Sequence, residues 1–218
     1  MLKVAMRELK IMLTMYKSRL IIFIVFPILY TFINDKSDFF SFYALMGGIM
    51  MLAGPEMENR DKVYISVLSA PCKRSEYVIG KFLAAIIWMI IIVVSGVLIN
   101  YGLCVLIPQK VSPIDALSIK LIPMYMCLFI SIYYMVIFVF GQKIAKAWYL
   151  ITFFLVMIGV MGASELIAGT QFQGTLGAII NFIGSTSMVN TMMLIILELA
   201  IIGILGTVSV AVYEKRDL

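Results

Sequence analysis

The sequence predicts an all-α membrane protein with six transmembrane helices, and three observations predict it. Of the 218 residues, 63% are hydrophobic and 13% charged, whereas soluble chains carry about 45–50% apolar and about 25% charged residues. A domain of this length still leaves much of its surface to solvent, so the surplus apolar surface calls for lipid. The apolar residues also come in long continuous runs rather than in alternation. In lipid, where every backbone polar group must be paired within the protein, such runs select helices over a closed barrel. Finally, the basic residues sort by connection. With both ends on the cytosolic side, fourteen of the seventeen Lys and Arg fall inside and only Lys36, Lys110 and Lys120 outside, as the positive-inside bias requires.

The elements follow in chain order. Residues 1–18 form a sided helix: Leu2, Ala5, Met6, Leu9, Met12, Leu13 and Tyr16 recur at helical spacing, with Lys3, Arg7, Lys10, Thr14 and Lys17 opposite. A basic amphipathic helix of this kind lies flat at a membrane surface; a cytosolic helix packed on a partner has the same pattern. It lacks the uninterrupted apolar region of a signal peptide. The spans are then expected at 20–33, 39–54, 78–107, 121–140, 148–168 and 192–212. The first contains Pro27 and is short against the ~20 residues a bilayer core needs. The third is long enough to tilt or to project into the cytosol. Ser112-Pro113-Ile114-Asp115 reads as a helix start with Ser112 as cap. In 169–191 the short apolar stretch Leu176–Ile183, bracketed by Gly174 and Gly184-Ser185-Thr186-Ser187, suits a re-entrant extracellular half-helix.

The largest polar segment is 55–77, between the second and third spans. Asn59 is placed to cap a short helix, with Glu56, Glu58 and Asp61 near its positive end. Val63, Tyr64, Val67 and Leu68 share one face, and Pro71 stops the helix. The segment therefore reads as an amphipathic helix held at the cytosolic surface by a rigid corner. A solvated turn with incidental charges is the plainer reading of the same residues.

These residues resemble the permease subunits of type-2 ABC transporters, in particular their small bacterial exporter branch and the membrane subunits of phenol-soluble modulin exporters. The features that carry the likeness are Glu58, then Val67-Leu68-Ser69-Ala70-Pro71, then Lys73-Arg74, then Tyr77-Val78-Ile79-Gly80-Lys81, with the tail Tyr213-Glu214-Lys215-Arg216-Asp217-Leu218. Ala70 is smaller than the residue usual before the proline. The resemblance implies a type-2 ABC exporter-like fold. Residues 1–18 would be the connecting helix, 55–77 would hold a cytosolic coupling helix, and 169–191 would supply the extracellular gate. It implies an ABC ATPase subunit as partner, contacted by Glu58, Asn59, Arg60, Asp61, Tyr64, Leu68, Pro71, Lys73 and Arg74. It also implies a second permease copy or paralogue, and a place in the bacterial plasma membrane. No cofactor is expected in this chain; ATP and Mg belong to the partner ATPase.

Glu165 and Glu198 stand in apolar surroundings, where a charge costs roughly 2.5–3.5 kcal/mol on insertion scales. Such residues face a cavity or pair up, so Glu198 is a candidate for the substrate path; a protonated carboxyl bonded to a neighbouring helix is the alternative. Glu165 fits either the path or a position near the outer surface. Gly47-Gly48, Gly159, Gly162, Gly203 and Gly206 suit close helix approach. The 17 Met residues suit an amphipathic or hydrophobic substrate, and equally plain lipid contact. Cys72, Cys104 and Cys127 have no metal or redox spacing, and there is no His, which removes the usual general base. No phosphate-binding loop is present. A secondary carrier or channel, or a membrane-embedded enzyme, remains the alternative class, although no internal repeat supports a carrier. The net charge of +5 follows from the positive-inside sorting and implies no nucleic-acid partner.

Overall fold

Long apolar runs pair their own backbone groups best as helices, and helices are what the computed structural model contains. It describes residues 2–15, 17–33, 38–60, 73–141, 143–145, 147–148, 185 and 187–215. The helices are α1 (Leu2–Met15), α2 (Lys17–Ile33), α3 (Phe39–Arg60), α4 (Arg74–Leu106), α5 (Ala116–Phe140) and α6 (Met188–Glu214). Three stretches, Arg74–Leu106, Ser118–Phe140 and Met188–Glu214, are long and apolar enough to cross a membrane, while Ile24–Ile33 and Phe39–Leu52 are shorter apolar stretches.

Several boundaries differ from those expected, each for a local reason. Helix α3 is fixed at its start by Asp38, whose Oδ1 accepts the Ser41 N–H at 3.1 Å, the bond an N-cap makes. It then continues through Pro55 to Arg60, so residues 55–60 belong to α3 rather than to the connecting loop. Helix α4 starts at Arg74, four residues before the expected third span, and spans about 50 Å at ~1.5 Å per residue. The cap of α5 is Asp115 and not Ser112: Asp115 is extended (φ −75°, ψ 139°) and Ala116 is the first helical residue. That helix ends at Gly141, whose φ of 88° is a conformation glycine adopts without steric cost; its N–H closes on the Ile137 carbonyl at 3.0 Å. The expected fifth span after Trp148, and 169–184 and 186 of the expected re-entrant segment, lie outside the described residues, while 188–191 already belong to α6.

The core forms where α3, α4, α5 and α6 meet, with Phe39, Tyr43, Met51, Val78, Trp88, Ile92, Ile130 and Tyr134 among its buried side chains. A tight seam joins α3 to α4. The Trp88 indole donates to the Gly47 carbonyl at 2.9 Å, and a methyl added at Gly47 would lie 2.8 Å from Ile92. The expected close approach at Gly47-Gly48 is therefore present. At Gly203 and Gly206 the described residues do not show it: among them nothing lies within 4 Å of an added methyl at either. Gly159 and Gly162 lie outside the described residues.

Directions follow from side-chain contacts. The start of α4 meets the ends of α5 and α6, because Tyr77 packs against Phe138 and Tyr213. Helix α3 runs antiparallel to α4, with Tyr43 bonded to Ser95 at 3.0 Å and Gly47 beside Ile92. At the opposite end Lys120, near the start of α5, donates to the Ser185 carbonyl at 2.7 Å. Helices α5 and α6 thus run the same way, and the chain between them must return from one end of the bundle to the other.

Candidate functional site

The loop singled out by sequence joins α3 to α4, and its two flanks are described. Glu58, Asn59 and Arg60 form the last turn of α3. Asn59 is helical there, so it does not serve as the N-cap of a following helix. Asp61, Tyr64, Leu68 and Pro71 lie outside the described residues. Lys73 is the extended residue before α4 (φ −68°, ψ 146°) and Arg74 is its first helical residue; both are exposed.

From Lys73 onward the chain turns inward at once. Tyr77, buried one turn into α4, donates its backbone N–H to the Lys73 carbonyl at 3.2 Å. Its ring stands edge-on to Phe138 of α5, with centroids 6.1 Å apart, and 6.3 Å from the Tyr213 ring of α6. Phe138 and Tyr213 close the triangle at 5.3 Å. Offset and edge-on aromatic pairs of this kind add about 0.5–1.5 kcal/mol each beyond their buried area. One turn further, Lys81 forms an ion pair with Glu8 of α1 at 3.1 Å, both side chains more than nine-tenths buried. The Lys81 ammonium also lies 5.1 Å from the centroid of the Tyr77 ring, within cation–π range. Between these, Gly80 lets α1 approach: an added methyl would sit 2.6 Å from Val4. The first two turns of α4 therefore grip α1 by charge and close packing, and α5 and α6 by aromatic rings. Within eight residues of Lys73 the chain thus contacts three other helices.

Helix α1 has three faces rather than two. Val4, Ala5, Glu8 and Leu9 turn toward α4, and Ala5, Glu8 and Leu9 are buried. Leu2, Met6 and Leu13 are exposed apolar residues, and Lys3, Lys10 and Thr14 are exposed polar ones, with Arg7 half-buried beside them. The single apolar face expected from the sequence is divided between protein and surroundings. The helix packs on its own chain and keeps an uncovered apolar strip.

The pairing of Glu8 with Lys81 is the feature the sequence reading missed. Its signal was present: Glu8 is the one acid in α1, on a helix otherwise basic. The aromatic triangle was also missed, because its members are separated by more than sixty residues in the chain.

Of the two acids singled out in apolar surroundings, Glu165 lies outside the described residues. Glu198 is buried on α6, 8% exposed, and its Oε1 has no hydrogen-bond partner among the described residues. The Cys127 thiol of α5 lies within its electrostatic reach. Among the described residues no group of three or more His, Cys, Asp or Glu could hold a metal ion.

These features define a multi-pass α-helical membrane protein in which one polar connection feeds a helix that touches most of the bundle. The chain belongs to the ABC-2 family of transporter proteins, whose sequence model matches residues 5–214, and it is accordingly a membrane transport component. No curated protein and no solved structure matches it.

Proposed function

We propose that this chain is the membrane-spanning permease subunit of an ATP-binding cassette exporter. With a second permease copy or paralogue it forms the path for an amphipathic or hydrophobic substrate, and a separate ATPase subunit drives it. The family match over 5–214 supports this reading, and the observation that carries the mechanical part is the linkage of the first two turns of α4 to α1, α5 and α6. In this reading the ATPase seats on 61–72 and on the flanks Glu58–Arg60 and Lys73-Arg74. ATP-driven closure moves the start of α4, and the buried Glu8–Lys81 pair and the Tyr77–Phe138–Tyr213 triangle pass that movement on. The loop end of the bundle faces the cytosol, as does the chain's amino-terminal helix, in keeping with where Lys and Arg accumulate. Amphipathic peptides of the phenol-soluble modulin kind are the first substrates to try, given the resemblance at the loop.

The test is to look for an ABC ATPase in the neighbouring reading frames, to co-purify it with this chain, and then to reverse charge in the double variant Arg60→Glu, Asp61→Lys. Loss of assembly and of ATP-coupled export is the expected result. Intact assembly with intact export in a variant that inserts normally would reject the seat.

A further inference from the structure

Helices α1 and α4 leave a groove of about 660 Å³ between them. That volume lies within the ~300–1,000 Å³ of small-molecule sites. The α4 wall is apolar: Ile87, Trp88 and Ile91. The Trp88 N–H is already bonded to the Gly47 carbonyl, so the indole has no polar demand left to present to an occupant. The α1 wall carries Lys3, Arg7 and Lys10 beside Leu9 and Leu13. The one acid on α1 is committed to Lys81, and among the described residues none of the three cations meets a carboxylate. Three uncompensated cations spaced along one helix therefore stand over an apolar trough in a membrane protein.

We propose that this groove holds an anionic phospholipid, its acyl chain against Ile87, Trp88 and Ile91 and its headgroup phosphate between Lys3, Arg7 and Lys10. Charge complementarity selects this occupant. A neutral lipid leaves the three cations unanswered, and a peptide helix docking there would need acids at matching spacing. The uncovered apolar strip Leu2, Met6 and Leu13 places α1 at the lipid boundary, where such a molecule arrives laterally. Basic residues near a membrane surface and basic pockets between helices recognise anionic headgroups in this way. The site does not depend on the exporter reading, since it needs only this chain in a bilayer.

The experiment uses the full chain in phosphatidylcholine bilayers doped with a photoactivatable phosphatidylglycerol, with a photoactivatable phosphatidylcholine as the parallel probe. The charged probe is expected to label peptides of α1 and α4, and labelling should fall as ionic strength rises. Each charge removed lowers occupancy by about fivefold, so Lys3→Gln, Arg7→Gln, Lys10→Gln together lower it by about a hundredfold. A second variant, Ile91→Trp, keeps every charge and fills the trough; it should also lose the label. Equal labelling by the neutral probe, or unchanged labelling in the triple variant, overturns the site. Unchanged labelling in Ile91→Trp alone overturns the groove by reducing the effect to diffuse surface charge. If the triple variant keeps its label but no longer binds the ATPase, the cations serve that partner and the lipid proposal fails.

Discussion

Helices α4 and α6 are both long and apolar, yet the protein treats them differently. In the most apolar stretch of α4, 39% of the residues are buried, against 17% in α6. Two polar residues of α4 are tied to other helices, Lys81 to Glu8 and Ser95 to Tyr43, while the buried Asn100 keeps an Oδ1 without a partner among the described residues. On α6, Met192, Met193, Ile196 and Leu197 are exposed, and the buried Glu198 likewise holds an oxygen without a partner among the described residues. The position of α4 is thus fixed by specific contacts, whereas much of the α6 surface meets none among the described residues. In a bilayer, where burying apolar surface between helices gains little over lipid, such specific contacts decide which helices move together. The difference between the two helices therefore lies in the ties of α4 to three neighbours and in the bare apolar face of α6.

The sharpest way to break this contrast is at the Glu8–Lys81 pair. Either Glu8→Gln or Lys81→Met leaves a buried group without its partner, which costs about 3–5 kcal/mol when a buried pair is split. The double variant Glu8→Met, Lys81→Met should recover most of that loss, since a buried ion pair replaced by apolar groups of similar volume is often near neutral. Denaturant titration of the purified chain in mild detergent reads both effects. Export should stay low in the double variant even where stability returns, because the specific tie between α1 and α4 is gone. Additive single losses with no recovery would show that the pair does not act as a unit.

What the sequence disclosed follows from the range of the signal. The helices were legible because an apolar run is local; the caps Asp38 and Gly141, which also act within four residues of their own position, were not singled out. The loop between α3 and α4 was legible as the polar break in an apolar chain, although the helical continuation through Pro55 was not, because helix breakers are tolerated where neighbouring structure compensates. Contacts such as Glu8 with Lys81, or Tyr77 with Phe138 and Tyr213, join residues more than sixty positions apart. No periodicity in a single chain encodes which of several aromatic residues will meet. The glycines give the clearest case: Gly47 and Gly203 are equivalent by composition, and only the fold separates them.

That separation is itself measurable, with opposite signs. Gly47→Ala drives a methyl to 2.8 Å from two carbons of Ile92, and overpacking of this kind costs about 1–3 kcal/mol. Gly48→Ala meets the Met126 terminal methyl, the mobile end of a flexible chain, and should cost less. At Gly203 and Gly206 nothing among the described residues lies within 4 Å, so Ala there should be neutral or stabilise by up to about 1 kcal/mol through helix propensity. The same detergent unfolding assay ranks all four. A loss at Gly203 as large as that at Gly47 would mean that α6 is packed as tightly as α4 in the working protein, and the contrast between the two helices would collapse.

The smallest expected change in stability is the most informative about transport. Glu198→Gln keeps the shape of the side chain, and because Oε1 has no hydrogen-bond partner among the described residues, no bond is lost there. Stability should therefore move by no more than about 0.5 kcal/mol, the range of substitutions that break no specific contact. If the carboxylate faces the substrate path, its charge contributes hydrogen bonding to a passing polar or cationic group at about 1.5–3 kcal/mol, so export and substrate-stimulated ATPase activity should fall roughly tenfold to a hundredfold. A marked loss of stability would instead place Glu198 in a helix–helix contact. Unchanged stability with unchanged export would remove it from the path and leave α6 defined by its apolar face alone.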